Sequence, residues 1–523
     1  MNGAEALVRT LAGAGVELCF ANPGTTEMHL VAALDAVGMP AILGLFEGVC
    51  TGAADGYGRM TDRPALVVLH LGPGFANGAA NLHNARRART PLVCVVGDHA
   101  TWHAAADAPL ATDIAGLARP VSDWVHTAEC AADLPRDGVR AVAAARAAPG
   151  GVATLIVPAD CAWGEAKGPL APGAVAVHGK PLEDARIDTA VRMLRRAGRS
   201  TALLLGGQAL RRRGLDAAGR IAVASGCTLL AETFPARMER GAGLPAVSKL
   251  PYFPEEASHL LSRFERLVLA GALSPVAFFG YPTLPSSLVP RGCEPLLLAE
   301  PGDDVAAGLE ALADALGGGR ASEGARALPP GSPTGRLDAA TLGAVVAGTQ
   351  PAGAIVVDEG LTSALPWTLA SVGAPPHTLL SLTGGAIGQG LPCATGAAIA
   401  CPDRPVIALQ ADGSGLYTVQ ALWTQAHEGL NVTTVVCANR SYRILRIELE
   451  RAGIAEPGPN ALALTGFERP APDWVALGRG FGVPAERVET AEALKTALQR
   501  ALAEPGPHLI EAVLEGNRAQ AGR

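Results

Sequence analysis

Residues 411–441 read ADGSGLYTVQALWTQAHEGLNVTTVVCANRS, directly after the apolar run Val406-Ile407-Ala408-Leu409. That run is short, uncharged and closed by turn residues, which predicts a buried parallel strand. Asp412 then stands at the carboxyl end of the strand, and Gly413 permits a tight turn. Leu416, Val419, Leu422, Trp423 and Ala426 recur at helical spacing over 416–429. Residues 432–437 read as a second buried strand, with Asn439 just beyond it. Asp412 and Asn439, 27 positions apart, therefore end two strands of one βαβ unit and face the crevice where such sheets bind ligands. A carboxylate, an amide oxygen and a nearby backbone carbonyl suit an oxygen-seeking cation such as Mg²⁺, whose octahedron phosphate and water complete. The same residues also suit a plain strand–turn–helix in which Asp412 caps the helix.

The alternation extends outward from this unit. Upstream, residues 354–357 and 379–380 read as strands, and 508–513 as the last one. A first α/β region has strands over 16–21, 41–46, 65–70, 92–96 and 152–157, with a small-residue helix after Glu47. A middle region has strands near 201–205, 227–231, 266–270 and 296–298. Strand–helix alternation throughout predicts an α/β chain of three doubly wound parallel-sheet domains. The expected boundaries are 1–165 for the first, 186–316 for the middle and 337–514 for the third. Linkers are expected at 166–185 and 317–336, and a frayed tail at 515–523. Gly206-Gly207 ends a middle-region strand and offers a phosphate cradle, but without a G-x-G-x-x-G pattern.

Composition narrows the class. The chain has 523 residues, 49% hydrophobic and 17% charged, enough apolar material for large cores in every domain. The formal net charge of −7, from 42 basic and 49 acidic residues, attracts neither nucleic acid nor anionic membrane. Ten cysteines without a C-x-x-C pair, most of them in apolar segments, suit a reducing compartment. The amphipathic N-terminus carries Glu5 and does not read as a signal peptide. The longest uncharged stretch, 376–402, is too rich in Gly, Thr and Pro to span a membrane. A cytoplasmic protein is expected.

Several residues could carry chemistry. Glu47 has no basic residue within ten positions on either side. A carboxylate in such company is poorly solvated unless a ligand or neighbour hydrogen-bonds it, although a glutamate at a helix start also suits the dipole. His70 ends a strand before Leu71-Gly72-Pro73-Gly74, which turns it toward the ligand crevice or ties it to loop backbone. Asn22-Pro23-Gly24-Thr25-Thr26 lies at the same sheet edge. Its hydroxyls hold a substrate carboxylate or cap the helix that opens at Glu27. Asp358-Glu359-Gly360-Leu361-Thr362-Ser363 follows a strand and offers hydroxyls and helix N-terminal amides to a phosphate. Gly384-Gly385-Ala386-Ile387-Gly388-Gln389-Gly390 permits close backbone approach to a planar ligand.

Together these residues resemble the thiamin-diphosphate-dependent 2-oxo acid decarboxylases and acetolactate synthases, over nearly the whole chain. Ala411-Asp412-Gly413-Ser414 followed by Asn439 resembles their Gly-Asp-Gly…Asn cofactor motif. The junction at Glu47 resembles their activating glutamate. The resemblance implies pyrimidine-binding, middle and diphosphate-binding domains in that order. It implies thiamin diphosphate and Mg²⁺, with Asp412, Asn439 and the Ser441 carbonyl on the metal. Thr362, Ser363, Gly413 and Ser414 then contact phosphate oxygens. Ile387 supports the bent cofactor, the Gly385 carbonyl meets the aminopyrimidine, and Pro23, Gly24 and Glu47 flank the ring. It further implies decarboxylation of a small 2-oxo acid through an ylid and an enamine, with Glu47, His70 and Thr25 catalytic. In the family two subunits share each cofactor, so a homodimer is the minimum and a dimer of dimers, a homotetramer, is expected.

Within the family Asn22-Pro23-Gly24-Thr25 and His70 resemble the benzoylformate decarboxylases. Phe279-Gly280-Tyr281 lacks their second catalytic histidine, and Gly72-Pro73-Gly74 resembles the acetolactate synthases. That departure opens a carboligase alternative with a second aldehyde or ketone as acceptor. A flavin-linked oxidising relative, or a cofactor-binding protein without catalysis, ranks below both.

Overall fold

The computed structural model describes residues 1–170, 179–282, 284–319, 324–327 and 333–515. Both expected linkers fall partly outside these residues, and the expected tail lies outside them beyond Glu515. Two compact units form. The first gathers Met1–Val175, Pro330–Ala370 and Leu382–Arg523, and the second Ala176–Pro329 and Ser371–Ser381.

The first unit holds two sheets. One has six parallel strands in the order Ala41–Leu43, Cys19–Asn22, Ala65–His70, Leu92–Asp98, Val152–Pro158, Trp124–Thr127. The inner strands are Val-, Leu- and Ile-rich because helices cover both faces. Leu7, Leu11, Val93 and Leu155 pack on one side, and Phe20, Phe75, Leu82 and Ile156 on the other. Cys19–Asn22 has Ala41–Leu43 on one flank and Ala65–His70 on the other. The strand order thus reverses there, and a crevice opens at the carboxyl ends of the middle pair, at Asn22 and His70. The other sheet of this unit aligns Ala485–Val488, His508–Val513, Val432–Ala438, Val406–Ala411 and Ile355–Glu359 in parallel. Their pairing brings Glu359, Asp412 and Asn439 to one edge.

One helix explains the small residues after Glu47. Glu47–Thr61 buries 13 of its 15 residues, against the helices Leu71–Ala88 and Gly390–Ala400, so it has no solvent face to fill with charge. A Cβ on Gly56 would lie 2.1 Å from the Cys393 carbonyl oxygen, and one on Gly396 1.8 Å from that of Ala53. Backbone meets backbone there, which only glycine allows. The same interface buries an ion pair, Arg59 to Asp55 at 2.6 Å. Asp55 also accepts from Thr90 Oγ1 at 2.6 Å and Gln389 Nε2 at 2.9 Å, so its charge is fully hydrogen-bonded.

The second unit has five parallel strands, ordered Ser248–Lys249, Thr228–Ala231, Thr201–Leu205, Arg266–Ala270, Glu294–Ala299. Met238–Arg240 pairs antiparallel with His377–Ser381 in the same unit. At the end of Thr201–Leu205, a Cβ on Gly206 would lie 2.7 Å from the Gly271 carbonyl oxygen. That glycine serves a close pass of two strand ends.

Two expected elements are shorter than periodicity suggested. The strand expected over 41–46 ends at Leu43, and Glu47 opens the next helix with Phe46 as its cap residue. The helix expected over 416–429 is observed only over Ala421–His427, with a separate short turn, Asp412–Gly415, before it. Residues 416–420 are a turn, where the Thr418 hydroxyl donates across to the Gly388 carbonyl at 2.8 Å. None of the ten cysteines forms a disulfide among the described residues, and Cys130 is exposed. Among the described residues no helix is long and apolar enough to cross a membrane.

Candidate active site

Two groups of site residues form in the first unit. The first lies at the crevice of the six-stranded sheet. Asn22 Nδ2 donates to the Gly44 carbonyl at 3.0 Å and fixes the loop start. Pro23 and Gly24 follow, and the Gly24 amide donates to Glu27 Oε2 at 2.7 Å. The same oxygen meets His70 Nδ1 at 2.7 Å, and the Thr26 hydroxyl bonds the other oxygen. Glu27 is wholly buried, whereas His70 keeps part of its ring exposed. A buried carboxylate with three partners thus orients a histidine through its Nδ1. The sequence reading took Glu27 as the opening of a helix. His70 lies 43 positions away, and no local signal links the two.

The threonine pair divides the two roles expected of it. Thr26 is tied to Glu27 and His70, while Thr25 is exposed and its hydroxyl is unbonded among the described residues. Glu47 is half-buried at its helix start and accepts from Asn77 Nδ2 at 3.0 Å. A Cβ on Gly74 would lie 3.3 Å from Glu47 Oε1 and 3.4 Å from His70 Cβ, so the two groups flank one glycine. Leu71, next to His70, holds φ at +52°. That left-handed conformation is costly for leucine and turns the chain sharply behind the histidine.

The second group lies at the carboxyl ends of Ile355–Glu359, Val406–Ala411 and Val432–Ala438. Asp412 is 2% exposed, and no cationic side chain pairs with it among the described residues. Its Oδ1 accepts from the Gly413 amide at 3.0 Å and its Oδ2 from the Arg440 amide at 2.6 Å. Burial nonetheless pushes its carboxyl up to about 6. Asn439 Oδ1 accepts from the Ser441 amide at 2.9 Å, and Asn439 Nδ2 donates to Ser363 Oγ at 3.3 Å. Thr362 is half-buried beside Ser363, after Leu361 at φ +50°, and Arg440 follows Asn439 at φ +58°. Strained turns therefore stand beside both loops. Ser414 points inward: its hydroxyl donates to the Ala411 carbonyl at 3.2 Å and accepts from Gln410 at 2.7 Å.

An uncompensated buried carboxylate beside an amide oxygen and the Ser441 loop is a donor set for a hard cation. The glycine-rich loop stands next to it. Gly385 is exposed with φ +76°, and Ile387 is half-buried. Asn84, on the helix Leu71–Ala88, clamps the loop by two bonds to Ala386, at 2.7 and 3.2 Å. The sequence reading missed Asn77, Asn84 and Gln410, and quoted Glu359 only as part of the loop after its strand, with no role. All are common polar residues, and only the contacts distinguish them.

The Glu27–His70 pair gives a direct expectation. Glu27→Gln places an amide where two groups donate. Turnover should fall at least about tenfold, a part of the roughly 10²–10⁴ that positioned acid–base groups contribute. Cofactor affinity should stay within about twofold of wild type, since no bond to the Asp412 edge changes. Steady-state kinetics with a cofactor titration checks both, and an unchanged kcat would show that the pair does not orient the histidine for reaction.

Comparisons with known proteins agree with this geometry. Residues 1–117 match the family described as "Thiamine pyrophosphate enzyme, N-terminal TPP binding domain", and residues 358–512 match "Thiamine pyrophosphate enzyme, C-terminal TPP binding domain". The chain is 53% identical over 519 residues to a Mycobacterium tuberculosis protein named "Putative acetolactate synthase large subunit IlvX", covering 98% of this chain and 99% of the relative. It is 30% identical to benzoylformate decarboxylase of Pseudomonas aeruginosa, covering 95% and 96%. Among solved structures, the thiamine diphosphate-dependent 4-hydroxybenzoylformate decarboxylase of Rhodococcus jostii RHA1 superposes with a TM-score of 0.83 at 26% identity, over 99% of this chain and 100% of that one. The chain, with its parallel sheets and both matched TPP-binding domains, belongs to the thiamine-pyrophosphate-dependent enzymes that include acetolactate synthase and benzoylformate decarboxylase relatives.

Proposed function

We propose that this enzyme decarboxylates a small 2-oxo acid with thiamin diphosphate and Mg²⁺. One observation carries the reading: Glu47 and the Glu27-oriented His70 flank one glycine, Gly74, at the point where the strand order reverses. Bound thiamin diphosphate would supply the electron sink that loss of a carboxyl group requires. The chain's own residues do the rest. Asp412, Asn439 and the Ser441 carbonyl hold Mg²⁺, and Thr362, Ser363, Gly413 and the Ser414 segment hold diphosphate oxygens. Ile387 and the Gly385 carbonyl seat the ring end, with Pro23 and Gly24 beside it. Glu47 shares a proton with the cofactor ring, and its weak solvation suits that exchange. Thr25 binds the substrate carboxylate, and His70 moves a proton at the reacting carbon's oxygen.

The active assembly is a homodimer or a dimer of dimers, in which Glu47 of one subunit and Asp412 of the other serve one cofactor. Exposed apolar side chains support this. Leu43 and Leu45 stand 41% and 44% exposed beside Glu47, and Leu416 and Tyr417 37% and 54% beyond Asp412. Apolar rims on both half-sites suit burial against a partner. The division into pyrimidine-binding, middle and diphosphate-binding domains, with boundaries at 1–165, 186–316 and 337–514, belongs to the same reading. So does a cytoplasmic location, on the unpaired cysteines.

A carboligase is the second reading. It is favoured by the 53% identity to a relative named for acetolactate synthase and by the absence of histidine at Phe279-Gly280-Tyr281. A panel of 2-oxo acids with thiamin diphosphate and Mg²⁺ separates the two. With products identified by mass, an aldehyde and CO₂ from a single 2-oxo acid supports decarboxylation. An acetohydroxy acid or mixed acyloin supports the second reading. No turnover of any acid by the cofactor-loaded protein would sink both.

A further inference from the structure

Glu359 ends the strand Ile355–Glu359, is 1% exposed and bonds to no cationic side chain among the described residues. Its carboxylate accepts four hydrogen bonds. Oε1 takes the amides of Gly388 at 2.6 Å and Gln389 at 3.3 Å. Oε2 takes the Gly390 amide at 2.6 Å and Gln410 Nε2 at 3.1 Å. Burial pushes the Glu359 carboxyl up from the ordinary carboxylate range, and the four donors oppose this by spreading the charge of its ionised form. Gln410 Nε2 also donates to Ser414 Oγ at 2.7 Å, within the loop that begins at Asp412. Glu359 therefore links the loops 358–363 and 384–390 directly, and reaches 411–415 through Gln410.

A plainer role would be to cap the helix Gly390–Ala400. The contacts reach further than that. Gly388 precedes the helix, and its bond is as short as that of Gly390. The Gly388 carbonyl is held as well, by Thr418 Oγ1 at 2.8 Å and Asn81 Nδ2 at 3.2 Å. On the other side of Ile387, Asn84 grips both the amide and the carbonyl of Ala386. Ile387 is thus half-buried between two pinned peptides. Room at the junction is tight: a Cβ on Gly390 would lie 2.8 Å from Glu359 Oε2 and 2.3 Å from Gln410 Oε1. Such pinning presets an apolar surface before any ligand arrives.

We propose that Glu359 is a positioning residue that sets Ile387 at a fixed separation from the Asp412 loop, so that the ring end and the diphosphate end of the cofactor are seated together. This rests on the thiamin diphosphate reading above. Glu359→Gln turns one acceptor oxygen into a donor facing donors, and it releases the glycine-rich loop on one side. Calorimetric titration of the wild type and the variant with thiamin diphosphate, and separately with inorganic pyrophosphate, both with Mg²⁺, tests it. The variant should bind thiamin diphosphate at least about tenfold more weakly and pyrophosphate within about threefold of wild type. Equal weakening of both ligands would make Glu359 a general support of the fold and overturn the proposal. No weakening of either would also overturn it. Failure of the wild type to bind thiamin diphosphate would instead remove the cofactor reading on which it stands. Should Glu359→Gln not fold, Glu359→Asp draws the carboxylate back from the Gly388 and Gly390 amides while leaving the Gln410 bond to Ser414 in place, and carries the same test. It should show a selective loss of about threefold, and an equal loss for both ligands, or none, overturns the proposal.

Discussion

Asp412→Asn is expected to leave the folded chain intact and to abolish its stabilisation by thiamin diphosphate and Mg²⁺. Asparagine matches the volume and can still accept from the Gly413 or Arg440 amide, so the loop keeps much of its anchoring. The substitution removes a buried charge with no cationic side-chain partner among the described residues. That charge is a burden to the metal-free protein. Its folded value of about 6 lies above the ordinary carboxylate range. A raised acid lowers stability as pH climbs from that ordinary value through about 6, because the unfolded chain releases the proton first. The amide relieves this at neutral pH and offsets the weakened hydrogen bond. With cofactor and metal the sign reverses. Ligands at about 100 times their Kd stabilise the native state by about 2.7 kcal/mol, and this term needs the carboxylate on the cation. Thermal unfolding with and without ligands reads both halves. Wild type should gain stability on loading and Asp412→Asn should not, with turnover lost alongside. A variant that kept the full thermal gain would show that Asp412 does not hold the metal.

Glu47→Gln should do the opposite, keeping binding while losing rate. The carboxylate is half-buried, and its one described hydrogen bond comes from Asn77 Nδ2, which a glutamine oxygen also accepts. Stability should change by no more than about 0.5 kcal/mol. The proposed diphosphate and metal contacts lie on other loops, so cofactor affinity should fall only a few-fold. An amide cannot exchange a proton as a carboxyl does, and turnover should drop roughly 10²- to 10⁴-fold. Pairing cofactor titration with kcat isolates the effect. Full activity in Glu47→Gln would overturn its catalytic assignment, whatever the metal site does.

The two variants also test the split site. Each damages a different half, so a mixture of the two inactive proteins can form dimers with one intact site if the halves come from different subunits. Recovery of up to about a quarter of wild-type activity on equal mixing with subunit exchange follows from random pairing, since half the dimers are mixed and each has one good site of two. No recovery, with exchange shown independently, would place both halves in one chain.

Much of this was legible in order along the chain. Val406 to Leu409 and Val432 to Cys437 are uncharged runs of strand length, and both are central buried strands. Asp412 and Asn439 follow them directly, so their place at the sheet edge came from period and punctuation alone. Glu47 stood out by the absence of charge around it, and the small residues after it answer to a helix with no solvent face. What resisted was local geometry next to glycine. Leu416 and Val419 keep helical spacing, yet the helix breaks, because Thr418 turns to the Gly388 carbonyl. Hydrophobic period reports burial and says nothing of a hydroxyl drawn to a distant carbonyl.

The sequence by itself determined the parallel α/β architecture, the paired Asp412 and Asn439 corner, and the isolation of Glu47 and His70. These follow from patterns within a few residues, where strand period, turn chemistry and charge are set by neighbours in the chain. Only the tertiary structure decided that Glu27 orients His70, that Thr26 is engaged and Thr25 exposed, and that Glu359 joins two loops and reaches a third through Gln410. Those bonds span from one residue to more than fifty. A buried carboxylate takes whatever donors the folded chain brings to it, and their identity is settled by packing across sheets and not by spacing along the sequence.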